Sequence, residues 1–143
     1  MKITISWLQE KNACPEGIAW FREKYPEQLD GVDYQSILDD LGKENKRDWA
    51  EWLLSNAGST KDTLEIKGDL ILEHSIFFAG SIKVSNNIFV SGDVTAGWSV
   101  TAGGDYGIYV GLSVRVSQKV QYAIVYSKTR PENLILGEWR GMK

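Results

Sequence analysis

The stretch 62-DTLEIK GDLILE HSIFFA GSIKVS NNIFVS-91 divides into blocks of six. It continues as GDVTAG and WSVTAG, breaks at Gly104 and Asp105, and resumes as YGIYVG, LSVRVS and QKVQYA. The third position of every block is a branched aliphatic residue: Leu64, Leu70, Ile76, Ile82, Ile88, Val94, Val100, Ile108, Val114 and Val120. The fifth is Ile66, Leu72, Phe78, Val84, Val90, Ala96, Ala102, Val110, Val116 and Tyr122. Gly, Ser, Asp and Asn fill most of the first two positions.

Apolar residues two apart lie on one side of a strand. Gly, Asn and Asp supply corners with φ > 0. A short strand with a two-residue corner is one side of a polygon, and a fixed short repeat of this kind marks a parallel β-helix. An antiparallel meander would instead place its turns about 8 to 12 residues apart. Closure after three blocks stacks residues 18 apart, about 4.8 Å along the axis. One interior column is then Leu64, Ile82, Val100 and Val120, a second Leu70, Ile88 and Ile108, and a third Ile76, Val94 and Val114. Gly104 and Asp105 read as a bulge at a corner. The fourth position of each block points outward, in columns Glu65-Lys83-Thr101-Gln121, Phe77-Thr95-Arg115 and Ile71-Phe89-Tyr109. Large apolar side chains on an outer face are covered or used for binding. Ile71, Phe89, Tyr109 and Phe77 are therefore the candidate interaction surface.

Working back from this repeat, residues 1–58 have the texture of short helices. Thr4 or Ser6 caps a helix carrying Trp7 and Leu8. Pro15 suits the first position of a second helix, with Glu16 placed well against its dipole. Ile18, Phe21 and Tyr25 give that helix an apolar stripe, and Pro26 ends it. Residues 33–41 predict a third helix burying Ile37, Leu38 and Leu41, with Gly42 after its end. Asp48 caps a fourth, carrying Trp49, Trp52 and Leu53 and closed by Gly58. The fold class is α+β: a small helical domain over 1–58, then a parallel β-helix of about three coils of three hexads over 62–123, then a C-terminal cap or tail over 124–143.

Composition narrows the function. The chain of 143 residues is 43% hydrophobic and carries a net charge of −3, without the basic footprint of a nucleic-acid binder. Residues 1–60 hold 7 Lys and Arg against 11 Asp and Glu. Glu27, Asp30, Asp33, Asp39, Asp40 and Glu44 form a candidate acidic surface for a basic partner, set against the plainer reading of a solvated helical face. A single Cys fits a reducing compartment. No apolar run approaches the roughly 18 residues that span a bilayer, and the N-terminus lacks a signal-peptide core. The expectation is a soluble, cytoplasmic protein with no membrane attachment.

Catalytic signatures are sparse. His74 is the only histidine and occupies a corner position. Cys14 precedes a helix, where it is either a reactive thiolate or a capping residue. No Cys or His pair has metal spacing, and no P-loop or GxGxxG is present. The expectation is no catalytic residue, no metal and no cofactor.

Two groups of motifs together resemble a known family. NACPEGIAWFREKYPE followed by RDWAEWLL resembles the helical head of small accessory proteins of phages and prophages. GDVTAGWSVTAG and GLSVRVS are similar to the GS-I-x-A-G repeats that follow that head, and NLILGEWRG resembles its ending. The hexads over 62–123 also resemble bactofilin, a polymer-forming β-helix, although bactofilins have disordered tails where this chain has a helical head. The phage resemblance implies a non-enzymatic protein that binds and inhibits a host protein or ribonucleoprotein complex, such as a CRISPR effector or another defence system. The bactofilin resemblance implies the alternative, a structural protein that self-associates. A hexad-repeat enzyme stands third. The outer apolar column further predicts a homodimer.

Overall fold

The computed structural model describes residues 1–27 and 30–142. Thr4 opens the first helix, α1 (Ile5–Glu10), by accepting a 3.0 Å hydrogen bond from the Trp7 N–H. The second, α2 (Pro15–Lys24), has Pro15 at its first position and Cys14 as N-cap, with the Gly17 N–H directed at Sγ 3.4 Å away. Short strands β1 (Lys2–Ile3) and β2 (Val32–Asp33) pair antiparallel. Tyr25, at the C-terminal cap of α2, packs its ring edge-on against Trp20 and Phe21.

The third helix, α3 (Tyr34–Lys43), buries Ile37, Leu38 and Leu41 as the spacing predicts. Gly42, expected beyond its end, lies inside it. A Cβ there would stand 2.7 Å from the Ser75 carbonyl oxygen, so the residue is glycine for close approach and not for termination. The fourth helix, α4 (Arg47–Ala57), starts one residue before Asp48; its N-cap is Lys46, and Asp48 lies in the first turn. Gly58 ends it at φ 89° as expected. By contact density the chain divides into compact units at Met1–Ile37 and Leu38–Lys143, so α4 belongs to the same unit as everything that follows.

That second unit is built on a parallel β-solenoid of about four turns with three faces. The first face stacks β3 (Thr63–Ile66), β6 (Ser81–Val84) and β9 (Val100–Thr101). The second stacks β4 (Leu70–Leu72), β7 (Ile88–Val90), β10 (Ile108–Val110) and β14 (Leu134–Leu136). The third stacks β5 (Ile76–Phe78), β8 (Val94–Ala96), β13 (Ile124–Ser127) and β15 (Glu138–Gly141). Leu64 pairs with Ile82 and Ile82 with Val100; Leu70 pairs with Ile88 and Ile88 with Ile108; Ile76 pairs with Val94. Ile82, Ile88, Val94 and Ile108 are wholly buried. The turn at Gly104 and Asp105 absorbs two residues and leaves Ile108 in register on Ile88.

The repeat then misleads. LSVRVS and QKVQYA are not coils: β11 (Leu112–Ser113) and β12 (Gln118–Lys119) form an antiparallel hairpin. Val120 and Tyr122, read as interior, are 51% and 59% exposed, and Val116 is exposed with them. Val114 does not complete the third column; Val125 pairs with Val94 in its place. Arg115 and Gln121 likewise leave the outer columns, and Tyr126 stands over Thr95 with Arg140 over Tyr126. A Val-x-Val alternation suits a two-stranded hairpin as well as a coil side, so the local pattern does not separate them. Residues 124–141, expected as a cap, carry the solenoid onward through β13, β14 and β15, which raises three coils to about four.

The corners also correct the sequence argument. Among the corner glycines of 62–111 only Gly68 and Gly111 have positive φ. Gly80 and Gly97 do not; a Cβ on either would strike the backbone of the residue 18 earlier, Asp62 or Ala79. Their glycines serve coil-to-coil approach.

Candidate functional site

Two features of the second unit stand out: a lateral apolar ladder and a polar pocket. The ladder follows from strand alternation. Ile71, Phe89 and Tyr109 pair side by side on the outer side of the second face. Ile71 is 50% exposed, and Phe89 and Tyr109 are half-buried with rings stacked at 5.1 Å and 22°. Ile135, 63% exposed, extends the row, because the ladder shifts register between Ile108 and Tyr109. A Cβ on Gly107 would lie 2.6 Å from Ile135 and 3.0 Å from the Tyr109 ring, so this glycine leaves room for both. The sequence reading missed Ile135 because it assigned residues 124–143 to a cap or tail; the alternation in 134-LIL-136 was the available signal.

Phe77 does not join that surface. It points outward from the third face, yet it and Thr95 are wholly buried. The reason is α4, which with the turn after it is tied to that face. Arg47 Nη1 meets Asp93 Oδ1 at 3.3 Å, Glu51 pairs with Arg140, and the Ser59 hydroxyl donates to the Gly97 carbonyl at 2.8 Å. Burial under a helix turns the outer Phe77-Thr95 column into a second core.

The corner between the second and third faces is polar. Asn45 Oδ1 accepts from the Ser75 N–H and hydroxyl, both at 2.8 Å. The Ser75 hydroxyl accepts from the Asp93 N–H at 2.9 Å, one coil up. Asp93 Oδ1 accepts from the Ile124 N–H at 2.8 Å, the next coil again. Beside this line opens a pocket of about 420 Å³ between the start of α4 and the residues just after β12. Asn45, Lys46, Arg47, Asp48 and Trp49 form one wall; Asp93, Gln121 and Tyr122 form the rest. Gln121 Nε2 donates to the Ser91 carbonyl at 2.6 Å, and the Tyr122 hydroxyl donates to Glu138 Oε2 at 2.9 Å. That hydrogen bond to a carboxylate, more than any burial, holds the Tyr122 phenol above its ordinary pKa. Sequence reasoning did not assemble this pocket, since its lining comes from three separate stretches of chain, residues 45–49, 93 and 121–122.

The remaining candidates are dispersed. His74 is half-buried, with Nδ1 2.7 Å from the Ser75 carbonyl oxygen. Cys14 is exposed and caps α2. Glu27, Asp30 and Asp33 lie exposed in the first unit, where Asp33 accepts from the Ser36 N–H and hydroxyl. Asp39, Asp40 and Glu44 lie in the second, with Asp40 half-buried. Among the described residues no three His, Cys, Asp or Glu side chains converge as metal ligands, and no helix is long and apolar enough to cross a membrane.

The fold class is therefore a helical N-terminal region followed by a parallel β-solenoid. Residues 1–61 match the family model of the YdhT N-terminal domain, a match that ends two residues before β3. No curated protein and no solved structure matches the chain.

Proposed function

We propose that this chain is a non-enzymatic binding protein of the phage accessory kind, acting in a host cytoplasm by engaging and inhibiting a host protein or ribonucleoprotein complex such as a CRISPR effector. The observation that carries this reading is the ladder. One lateral face of the solenoid is covered by its own helix, while another leaves Ile71, a stacked Phe89-Tyr109 pair and Ile135 open to solvent. Stacked aromatics on a rigid parallel sheet are pre-ordered, so binding them costs little side-chain entropy. The lone cysteine and the lone histidine, Cys14 and His74, are each engaged by a local backbone group.

The test is phage plating on bacteria with an active defence system. The wild-type chain raises plating efficiency, and Phe89→Lys with Tyr109→Lys abolishes the effect while the protein stays folded. Full protection by that double variant, or its loss in a folded His74→Ala variant, refutes the reading.

A structural role through self-association is the second reading. Its support is that β9, β14 and β15 are each the last strand of their sheets, and edge strands are templates for pairing with another chain. Sedimentation velocity separates the two: mass that climbs with concentration favours assembly. A fixed dimer that Phe89→Lys with Tyr109→Lys turns into a monomer marks the ladder as a homodimer face.

A further inference from the structure

The pocket at the start of α4 has a chemistry independent of the ladder. Its lining balances two cations, Lys46 and Arg47, against two carboxylates, Asp48 and Asp93, and the Lys46 ammonium lies 4.4 Å from the centre of the Trp49 ring. Arg47 and Asp93 are locked together at 3.3 Å. A pocket so balanced selects neither an anion nor a cation. What it offers instead is planar hydrogen-bonding groups whose second positions the fold leaves open. Asn45 uses Oδ1 and keeps its amide N–H groups. Gln121 uses Nε2 and keeps its carbonyl oxygen. Asp93 uses Oδ1 and keeps Oδ2. The Asp48 side chain is 91% exposed, and its nearest ionic partner is Arg47 Nε at 4.0 Å. Donors and acceptors are therefore both offered around a volume of about 420 Å³, and the 59% exposed Tyr122 supplies an aromatic ring among its walls.

We propose that this pocket binds a neutral saccharide. Vicinal hydroxyls both donate and accept, so a sugar ring satisfies a mixed set of amide and carboxylate positions that an ion would satisfy only in part. Its axial C–H face is apolar and packs on an aromatic ring. The volume falls within the range of about 300–1,000 Å³ usual for small-ligand pockets. An open site of this kind binds weakly, with a dissociation constant on the order of 1 mM.

The experiment is ¹⁵N–¹H chemical-shift titration of the whole chain with maltose, cellobiose, N-acetylglucosamine and galactose, with inorganic phosphate and lysine as ionic probes. At least one sugar is expected to give saturable shifts at residues 45–49 and 121–122, and the ionic probes none. Asp48→Ala and Tyr122→Ala, both at well-exposed side chains, should each weaken that sugar by about tenfold, and Phe89→Lys should leave it unchanged. No saturable shift with any sugar, shifts confined to other regions, or saturation by phosphate or lysine in preference to the sugars overturns the proposal. So does undiminished binding by both pocket variants.

Discussion

Val94→Asp and Val120→Asp form a matched pair, because the hexad pattern puts both valines in the interior while the structure keeps only one there. Val94 has no exposed surface and lies between Ile76 and Val125 in the third column. Removing its apolar burial costs about 1.5–3 kcal/mol. Leaving a polar group there without a partner adds about 1–3 kcal/mol even when the carboxyl is protonated. A loss of about 2.5–6 kcal/mol is a large share of the 5–15 kcal/mol that holds a typical domain. With a urea slope of about 1–3 kcal/mol/M, the midpoint falls by roughly 2 M. Val120 is 51% exposed on the hairpin, and its substitution stays within about 0.5 kcal/mol of the parent. Burial disfavours the ionised carboxyl, so the folded pKa of the introduced acid lies above its unfolded value. The destabilisation of Val94→Asp is therefore smallest below the unfolded pKa and grows as pH rises through the folded one. Urea unfolding followed by far-UV circular dichroism at two pH values measures all of this. Equal destabilisation by the two variants, or an unmoved midpoint for Val94→Asp, refutes the register.

Three further outcomes follow from particular contacts. Arg140→Ala leaves Glu51, whose side chain is only 14% exposed, without its ion partner and should lower stability by about 1–2 kcal/mol, discounted because Arg140 itself is half exposed; thermal unfolding reads it. Gly97→Ala forces a Cβ against the Ala79 backbone and should cost about 1–3 kcal/mol, whereas Gly104→Ala, with open space around its Cβ position, should cost far less; the comparison is a pair of denaturant curves. Glu138→Gln removes the carboxylate that accepts from Tyr122, so the Tyr122 phenol should ionise at lower pH, as followed by its ring resonances in an NMR pH titration.

The sequence by itself determined the solenoid and its register from Leu64 to Val110. Strand alternation and an 18-residue closure leave few ways to bury the eight aligned aliphatic positions from Leu64 to Ile108, and local signals such as Thr4 and Pro15 act within three or four residues. What only the tertiary structure decided depends on segments far apart in the chain. Val114, Val116 and Val120 satisfy the hexad as well as Val94 does, but the chain leaves the coil after Gly111 and returns at Ile124, where Val125 takes the place over Val94. Phe77 and Phe89 hold equivalent outward positions, and nothing in their own hexads says that α4 buries the first and leaves the second half open. The pocket has the same origin: Lys46 and Tyr122 become neighbours only because a helix laid on one face meets a hairpin that leaves the solenoid at the adjoining corner.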